Sequence, residues 1–141
     1  MSDVTGTGSC LCGTVRYAVR GPLRAVVACH CTQCRKQTGH FLPATDARRD
    51  EITIEGEANL EWYRASDFAA RAFCRTCGSV LFWQQDGAET TSILAGTLDD
   101  DAGVKLERHI FVGDKGRYYE ITDGLPQYDE DDHDGPPRPR G

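Results

Sequence analysis

Residues 29–34 read CHCTQC and place three cysteines in one short stretch of chain. The rest of the seven cysteines also lie in tight groups, CLC at residues 10–12 and CRTC at residues 74–77. A gap of two residues, as between Cys31 and Cys34, lets a tight turn direct two sulfur atoms at one metal ion. The pattern therefore indicates metal binding by thiolates.

Disulfide bonds are the main alternative use of these cysteines. Seven cysteines cannot all pair within one chain, and cysteines two positions apart in an extended strand point to opposite faces. Residues 1–9 have no basic start and no apolar run, so they do not resemble a signal peptide. We therefore expect a cytoplasmic protein with reduced thiols. A redox-active CxxC is a further alternative, which the number of clusters disfavours.

The seven cysteines divide into a set of four and a set of three. Four thiolates close a tetrahedral zinc site, whereas three leave one position open, as a reactive zinc requires. Gly13 and Gly78 each follow a cysteine and allow a positive φ in a ligand loop. We therefore predict two zinc ions per chain, one structural and one reactive. The structural site is assigned to Cys10, Cys12, Cys74 and Cys77, and the reactive site to Cys29, Cys31 and Cys34.

The fourth position of the reactive site is left to water, a substrate thiol or a nearby side chain. His30 is the obvious protein candidate, but in an extended chain it would point away from the neighbours on either side. A hydrogen-bonding or packing role is the simpler expectation for it. His40 and His109 are expected to be ordinary strand histidines, and His133 lies in the C-terminal tail.

Composition limits the classes of function. The length of 141 residues fits one domain, and the net charge of −6 argues against a nucleic-acid-binding surface. The apolar runs are too short to span a bilayer, so no membrane contact is expected. Residues 129–141 combine acidic residues with prolines and glycines, and we expect this tail to be disordered.

The hydrophobic pattern predicts many short strands separated by glycines. Alternating or apolar segments occur at residues 14–19, 25–28, 52–54, 60–63, 71–73, 80–83, 91–94, 109–112 and 118–121. Segments 52–54 and 60–63 are predicted to pair as a hairpin, and residues 31–38 to form a helical turn that ends at Gly39. The aromatic residues Phe41, Trp62, Phe82 and Trp83 are expected in the core. We predict a small all-β domain of short antiparallel strands with one short helix.

Four motifs occur in the order typical of one known family. They are GSCLCG at residues 8–13, CHCTQC at 29–34, FCRTCGS at 73–79, and HIFV at 109–112 running to YEITDGLP at 119–126. The chain resembles the glutathione-dependent formaldehyde-activating enzyme family, also known through centromere protein V. The resemblance implies a zinc-bearing β-tent domain at residues 8–128, between a flexible segment 1–7 and the tail. It implies the same division of the cysteines, although Tyr118 stands where tryptophan is common.

The family resemblance also implies an activity. It implies a carbon–sulfur lyase that forms S-hydroxymethylglutathione from glutathione and formaldehyde. Zinc with three thiolates suits this chemistry because it can hold a fourth thiolate that attacks a small electrophile. Arg35, Lys36, Arg71 and Arg75 are candidates to bind the carboxylates of glutathione, although surface charges need no such role. A different thiol substrate and a non-catalytic zinc domain that binds a protein partner are the alternatives, and the sequence leaves the oligomeric state open.

Overall fold

A computed structural model describes residues 4–100 and 102–130 of the chain. Its strands are β1 Gly6–Ser9, β2 Arg16–Val19, β3 Val26–Cys29, β4 Leu42–Arg48, β5 Ile52–Glu55, β6 Leu60–Arg64, β7 Ala69–Cys74, β8 Val80–Gln85, β9 Thr90–Leu94 and β10 Leu106–Ile110. The α-helix α1 spans Thr32–Thr38, and short 3-10 helices span Arg49–Glu51, Glu57–Asn59, Ala95–Thr97 and Val112–Asp114.

This architecture confirms the prediction of a mostly β chain with a short helix. The alternation expected of a half-buried strand is visible in β2, where Tyr17 and Val19 are buried and Arg16 is exposed. Helix α1 ends as predicted at Gly39, whose φ of 87° is the left-handed conformation that favours glycine.

The chain folds into two compact units. The described part of the first unit comprises residues 4–24, 45–100 and 102–104, and that of the second comprises residues 25–44 and 105–130. Strand β4 begins in the second unit and continues into the first. The two cysteine groups predicted from the sequence are therefore divided between the units.

The first unit contains a three-stranded antiparallel sheet, in the order β1-β2-β5, and the antiparallel strands β9-β8-β7-β6. Its core is formed by buried side chains from both groups of strands, and two of the predicted zinc ligands, Cys10 and Cys74, belong to it. Because these cysteines are part of the core, a metal bound there would be part of what holds the unit together.

The second unit contains β3 between β10 and the first residues of β4. Strand β10 is parallel to β3, which is an exception to the antiparallel pairing predicted for the chain. Cys29, at the end of β3, lies opposite Ile110 on one side and Leu42 on the other. Residues 126–130 run beside the end of β10, where the amide of His109 donates to the carbonyl of Pro126 at 2.9 Å.

Three local predictions are wrong. Segments 52–54 and 60–63 do not form a hairpin, because β5 pairs with β2 and β6 pairs with β7. The connection between them is held instead by Asn59, whose carbonyl accepts from the amide of Arg75 at 2.9 Å. Residues 118–121 form no strand. Trp62 was expected in the core but is 42% exposed on β6.

Some sequence-based expectations fall on parts of the chain that the structure does not cover. Residues 1–3 of the predicted flexible segment, residues 131–141 of the predicted tail, and His133 lie outside the described residues. Strand β1 begins at Gly6, inside the segment predicted to be flexible. Within residues 4–100 and 102–130, no helix combines the length and the apolar character needed to cross a membrane.

Candidate metal centres

The first candidate centre is a cluster of four thiols in the first unit. The Sγ atoms of Cys10, Cys12, Cys74 and Cys77 all lie within 4.8 Å of one another. Cys10 and Cys12 follow β1, whereas Cys74 ends β7. The cluster therefore joins two segments that are distant in the sequence, since Cys12 and Cys74 are 62 positions apart. Four sulfur atoms at this spacing can surround one tetrahedral ion.

The loops of the four-thiol cluster are shaped by glycine and by hydrogen bonds to sulfur. Gly78 has a φ of 81°, and its amide donates to the carbonyl of Cys74 at 2.8 Å. The amide of Val15 donates to the Sγ of Cys10 at 3.3 Å, and the side-chain amide of Asn59 donates to the Sγ of Cys74 at 3.3 Å. Such donors stabilise thiolates, which are the form that binds a metal.

Hydroxyl groups act on the two more exposed sulfurs of the same cluster. A hydrogen bond with the Ser79 hydroxyl lowers the pKa of Cys77 to about 5. The hydrogen bond with the Thr14 hydroxyl likewise lowers the pKa of Cys12 below its usual range. Burial instead raises the pKa of Cys10. The surroundings thus favour thiolates at Cys12 and Cys77, whereas the burial of Cys10 opposes its ionisation unless a cation is bound nearby.

The second candidate centre is a cluster of three thiols in the second unit. The Sγ atoms of Cys29, Cys31 and Cys34 lie within 4.8 Å of one another. Cys29 ends β3, Cys31 is the residue that caps the start of α1, and Cys34 lies in its first turn. The Sγ of Cys31 accepts a hydrogen bond from the amide of Cys34 at 3.2 Å. One strand end and one helical turn therefore bring all three sulfurs together locally.

The three-thiol cluster fits a cation. Hydrogen bonds that the Cys29 thiol donates to Cys31 and then Cys34, together with burial, raise the pKa of Cys29 well above its usual range. Three neighbouring thiols cannot all ionise without a positive charge among them, because like charges repel at short range. A zinc ion would supply that charge, and thiolates are among the soft ligands that bind zinc. The donor set therefore suits zinc, with three sulfurs for four tetrahedral positions.

His30 does not complete the three-thiol cluster. Its Nδ1 is hydrogen-bonded to the Tyr119 hydroxyl and its Nε2 lies 2.9 Å from Nδ1 of His109. Burial is the largest cause that lowers the pKa of His30 to about 4, and the neighbouring His109 adds to it. Both ring nitrogens are thus engaged away from the sulfurs. This agrees with the sequence-based preference for a hydrogen-bonding role.

The structure brings further polar residues to His30 that sequence reasoning did not assign to the site. His109 Nε2 lies 2.8 Å from Oδ2 of Asp123, and the Nδ1 of His40 lies 2.5 Å from the Tyr118 hydroxyl. Asp123 lies directly before Gly124, whose φ of 79° is the left-handed conformation that favours glycine in a turn. In the sequence, His109 and Asp123 were part of the family motif that runs from HIFV to YEITDGLP, which did not indicate that their side chains contact each other.

The four predicted cationic candidates have different environments. Arg75 forms an exposed ion pair with Glu61 at 2.8 Å, which is the ordinary role of a surface arginine. Arg71 is 3% exposed on β7 of the first unit. Arg35 and Lys36 lie on α1, directly after Cys34, and Nε of Arg35 is buried without a hydrogen-bond partner. Only these last two share a unit with the three-thiol cluster.

Comparison with known proteins agrees with this geometry. Residues 5–114 match the family described as glutathione-dependent formaldehyde-activating enzyme. The chain belongs to this family. The match extends over most of the chain and includes all seven cysteines. It confirms the resemblance proposed from the motifs.

Individual relatives span most of the chain. An uncharacterized lyase of Schizosaccharomyces pombe is 24% identical over 126 residues, which cover 89% of this chain and 91% of the relative. A protein of Halomonas elongata that carries the family's name is 30% identical over 125 residues, 81% of this chain and 79% of its own length. A crystal structure of a Rhodobacter sphaeroides protein superposes with a TM-score of 0.58 at 27% identity, over 71% of this chain and 97% of that protein.

Proposed function

We propose that this protein is a zinc-dependent carbon–sulfur lyase that forms and breaks the adduct between a thiol and formaldehyde. Glutathione is the thiol we favour, and S-hydroxymethylglutathione is the product. The observation that carries the proposal is the local cluster of Cys29, Cys31 and Cys34, whose three sulfurs lie within 4.8 Å of one another. Membership of the family described as glutathione-dependent formaldehyde-activating enzyme supports it.

The proposal gives different tasks to the two cysteine clusters. The four thiols of the first unit would bind a structural zinc ion, and the three thiols of the second unit would bind a reactive one. A zinc ion held by three cysteines would lower the pKa of a fourth thiol, so that this thiol is nucleophilic near neutral pH. No other histidine, cysteine or carboxylate of the described residues joins the three sulfurs within 4.8 Å.

The overall reaction is balanced without a further reactant. The S–H bond of the thiol breaks, its sulfur forms a bond to the carbon of formaldehyde, and the carbonyl oxygen takes up a proton. The reverse direction breaks the carbon–sulfur bond. Arg35 and Lys36, which follow Cys34 on α1, would attract the carboxylates of glutathione.

The proposal also has consequences for the compartment in which the protein works and for the part of the chain that forms the domain. All seven cysteines are free thiols, and zinc binding requires them to remain reduced, so we propose a reducing compartment such as the cytoplasm. Residues 8–128 would form the zinc-binding domain.

Cobalt substitution tests the proposal directly. The Co²⁺-loaded protein should contain two ions per chain, and glutathione should change the visible absorption of one of them. S-methylglutathione, which has no free thiol, is the matched ligand control and should leave the spectrum unchanged. A Cys34→Ser variant should lose the response to glutathione while keeping the spectrum of the four-thiol cluster.

Catalysis is measured separately from binding. Exchange NMR with ¹³C-formaldehyde and glutathione should show faster adduct formation and breakdown with the zinc-loaded protein than without it. A spectrum that does not respond to glutathione, together with an unchanged exchange rate, would refute the enzyme and favour a non-catalytic zinc domain. A response to another small thiol alone would keep the chemistry and replace glutathione as the substrate.

A further inference from the structure

Strand β6 is the last strand in the series β9-β8-β7-β6 of the first unit. It pairs with β7 on one side, and in the part of the chain that the structure describes no strand pairs with its other side. Two large aromatic side chains lie exposed in the middle of this edge strand, Trp62 at 42% and Tyr63 at 59% exposure. Neither the cysteine clusters nor the proposed function uses this edge.

The hydrogen bonds to β7 show which backbone groups of β6 remain open. The amide of Arg75 donates to the carbonyl of Asn59 at 2.9 Å, directly before β6 begins and in the same register as the strand pair. In an antiparallel pair every second residue bonds to the neighbouring strand, and the residues between them face the other way. The amides and carbonyls of Trp62 and Arg64 therefore point away from β7. No group of residues 4–100 and 102–130 bonds to them.

The charged side chains of β6 are neutralised within the chain. Glu61 accepts from Nε of Arg75 at 2.8 Å, and Nη1 of Arg64 donates to Oδ1 of Asp86 at 2.7 Å. Charges on an edge strand commonly prevent it from pairing with other strands. Because each charge on β6 has a partner of opposite sign, this protection is weak here, and the two exposed aromatic rings add apolar surface to the edge.

We propose that β6 pairs with β6 of a second copy of this chain, antiparallel about a two-fold axis that passes at Tyr63. Such an interface uses the same surface on both copies, so the assembly closes as a dimer. Trp62 of each copy would lie opposite Arg64 of the other, and the outward amides and carbonyls of both residues would all be bonded. The inference goes beyond the proposed function and depends on neither cysteine cluster.

Charge complementarity selects this register of the two strands. With Tyr63 on the axis, the cation of Arg64 meets the exposed ring of Trp62, which is a favourable cross-strand pair. With Trp62 on the axis, Arg64 would instead lie opposite Leu60, which is 5% exposed and offers it no polar partner. With Glu61 on the axis, two carboxylates would face each other and repel. A second copy therefore fits this edge best in the register centred on Tyr63.

Sedimentation equilibrium of the purified full chain over a concentration series tests the dimer. The mass should rise from the 15.5 kDa of one chain toward twice that value. Tyr63→Lys would place two lysines opposite each other on the axis, and the dissociation constant should increase by about tenfold or more. Tyr118→Lys is the matched control, because it makes the same change at a tyrosine of the second unit that is 65% exposed. It should dimerise like the parent protein.

Two results of this experiment would overturn the proposal. One is a parent protein that remains a single chain at its highest soluble concentration, which would leave the edge to water or to a different protein. The other is a dimer that Tyr63→Lys does not weaken relative to Tyr118→Lys, which would place the interface elsewhere on the molecule. Urea unfolding of both variants checks that each is folded, as expected for substitutions at exposed positions.

Disulfide cross-linking tests the register. Residues opposite each other in a non-hydrogen-bonded pair have Cα atoms about 4.5 Å apart, within the range of a disulfide. Tyr63→Cys should therefore form a covalent dimer on mild oxidation, and a reductant should release it. In Glu61→Cys, the matched control, the two new thiols would lie about 14 Å apart along the strands, too far to bond. The parent protein measures any cross-link through its own cysteines. A yield from Tyr63→Cys no higher than from Glu61→Cys or the parent would overturn the pairing.

Discussion

The two cysteine clusters use similar atoms in different ways. The cluster of the first unit joins two chain segments and includes Cys10 and Cys74 of the hydrophobic core. The cluster of the second unit is built from six consecutive residues at the end of β3 and the start of α1. One closes a long loop of chain, whereas the other needs almost no loop closure at all.

This difference teaches how a metal site acquires its role. A metal held only by the folded chain stabilises it by its binding free energy, so an ion that bridged distant segments would contribute mainly to folding. A local cluster fixes little of the chain, so an ion bound there would be free to take part in the proposed chemistry. The number of sulfurs points the same way, since four fill a tetrahedron and three do not.

The largest expected effect is a difference in the free energy of unfolding between cysteine variants of the two clusters. A Cys74→Ser change should remove the metal of the four-thiol cluster and lower the free energy of unfolding by about 4 kcal/mol or more, because a core residue and its metal are lost together. Cys29→Ser, in the three-thiol cluster, should lower it by about 1 kcal/mol or less. Urea unfolding and a zinc count on each variant provide the measurement.

If Cys74→Ser and Cys29→Ser lowered the free energy of unfolding equally, the expected difference between the two clusters would be wrong. Each variant should retain about half of the zinc of the parent protein if it folds. Loss of both ions from Cys29→Ser would show that the three-thiol cluster also supports the fold, which would contradict the division of roles.

The sequence predicted the clusters better than it predicted their surroundings, and the reason is physical. Ligand spacing such as CxxC is a local property, so each short cysteine group could be recognised from the chain alone, and the count of seven indicated a division into four and three. The predicted hairpin of 52–54 with 60–63 does not form because β5 pairs with β2 and β6 pairs with β7. The connection between these segments contains Asn59, whose side-chain NH₂ group donates to the Sγ of Cys74. That hydrogen bond joins residues that are distant in the sequence, so the hydrophobic periodicity gives no sign of it.

The hydrogen bonds of His30 with Tyr119 and His109 show the same limit. Tyr119 and His30 are 89 positions apart, and only the parallel pairing of β10 with β3 places His109 opposite Ala28, beside His30. The strand predicted at residues 118–121 was inferred from two tyrosines and an isoleucine, which are common in strands. In the structure those tyrosines bond to histidines through their hydroxyls instead.

A second prediction compares a tyrosine of the first unit with one of the second and concerns the pH dependence of stability. Tyr17 lies in the core that contains Cys10 and Cys74, and its hydroxyl is 2.7 Å from that of Thr97, whereas Tyr119 is half-buried beside His30. Burial raises the pKa of Tyr17 to about 12. A raised pKa means that the stabilising contribution is complete below the ordinary pKa of about 10 and is lost as the pH rises through about 12.

The test compares Tyr17→Phe with the parent protein at two pH values. At pH 7 the variant should be less stable by about 1 kcal/mol, because the hydrogen bond to Thr97 is lost. Between pH 10 and 12 the parent protein should lose on the order of 2 kcal/mol that the variant keeps, so the difference should shrink and reverse. Tyr63→Phe, at an exposed position, serves as the control in the same urea titrations. A pH-independent difference for Tyr17→Phe would place this phenol outside the core.

The smallest expected effect compares two glycines that have the same conformation at different distances from sulfur. Gly78 and Gly39 have φ values of 81° and 87°, and an added Cβ would meet nothing within 4 Å at either position. Alanine should therefore cost about 1 kcal/mol at both sites through the left-handed backbone alone. Gly78 directly follows a cysteine of the four-thiol cluster, whereas Gly39 ends α1 on the far side from Cys31 and Cys34.

Gly78→Ala and Gly39→Ala should lower the free energy of unfolding equally, but competition with a chelator should distinguish their effects on zinc binding. Gly78→Ala should release zinc from the four-thiol cluster at a lower chelator concentration, because strain in its ligand loop is relieved when the metal leaves. Gly39→Ala should unfold more easily in urea by the same amount and yet release zinc from the three-thiol cluster at the parent concentration. If Gly39→Ala also loosened its metal, α1 would have to be treated as part of the metal centre along its whole length, and the picture of a purely local three-thiol turn would be wrong.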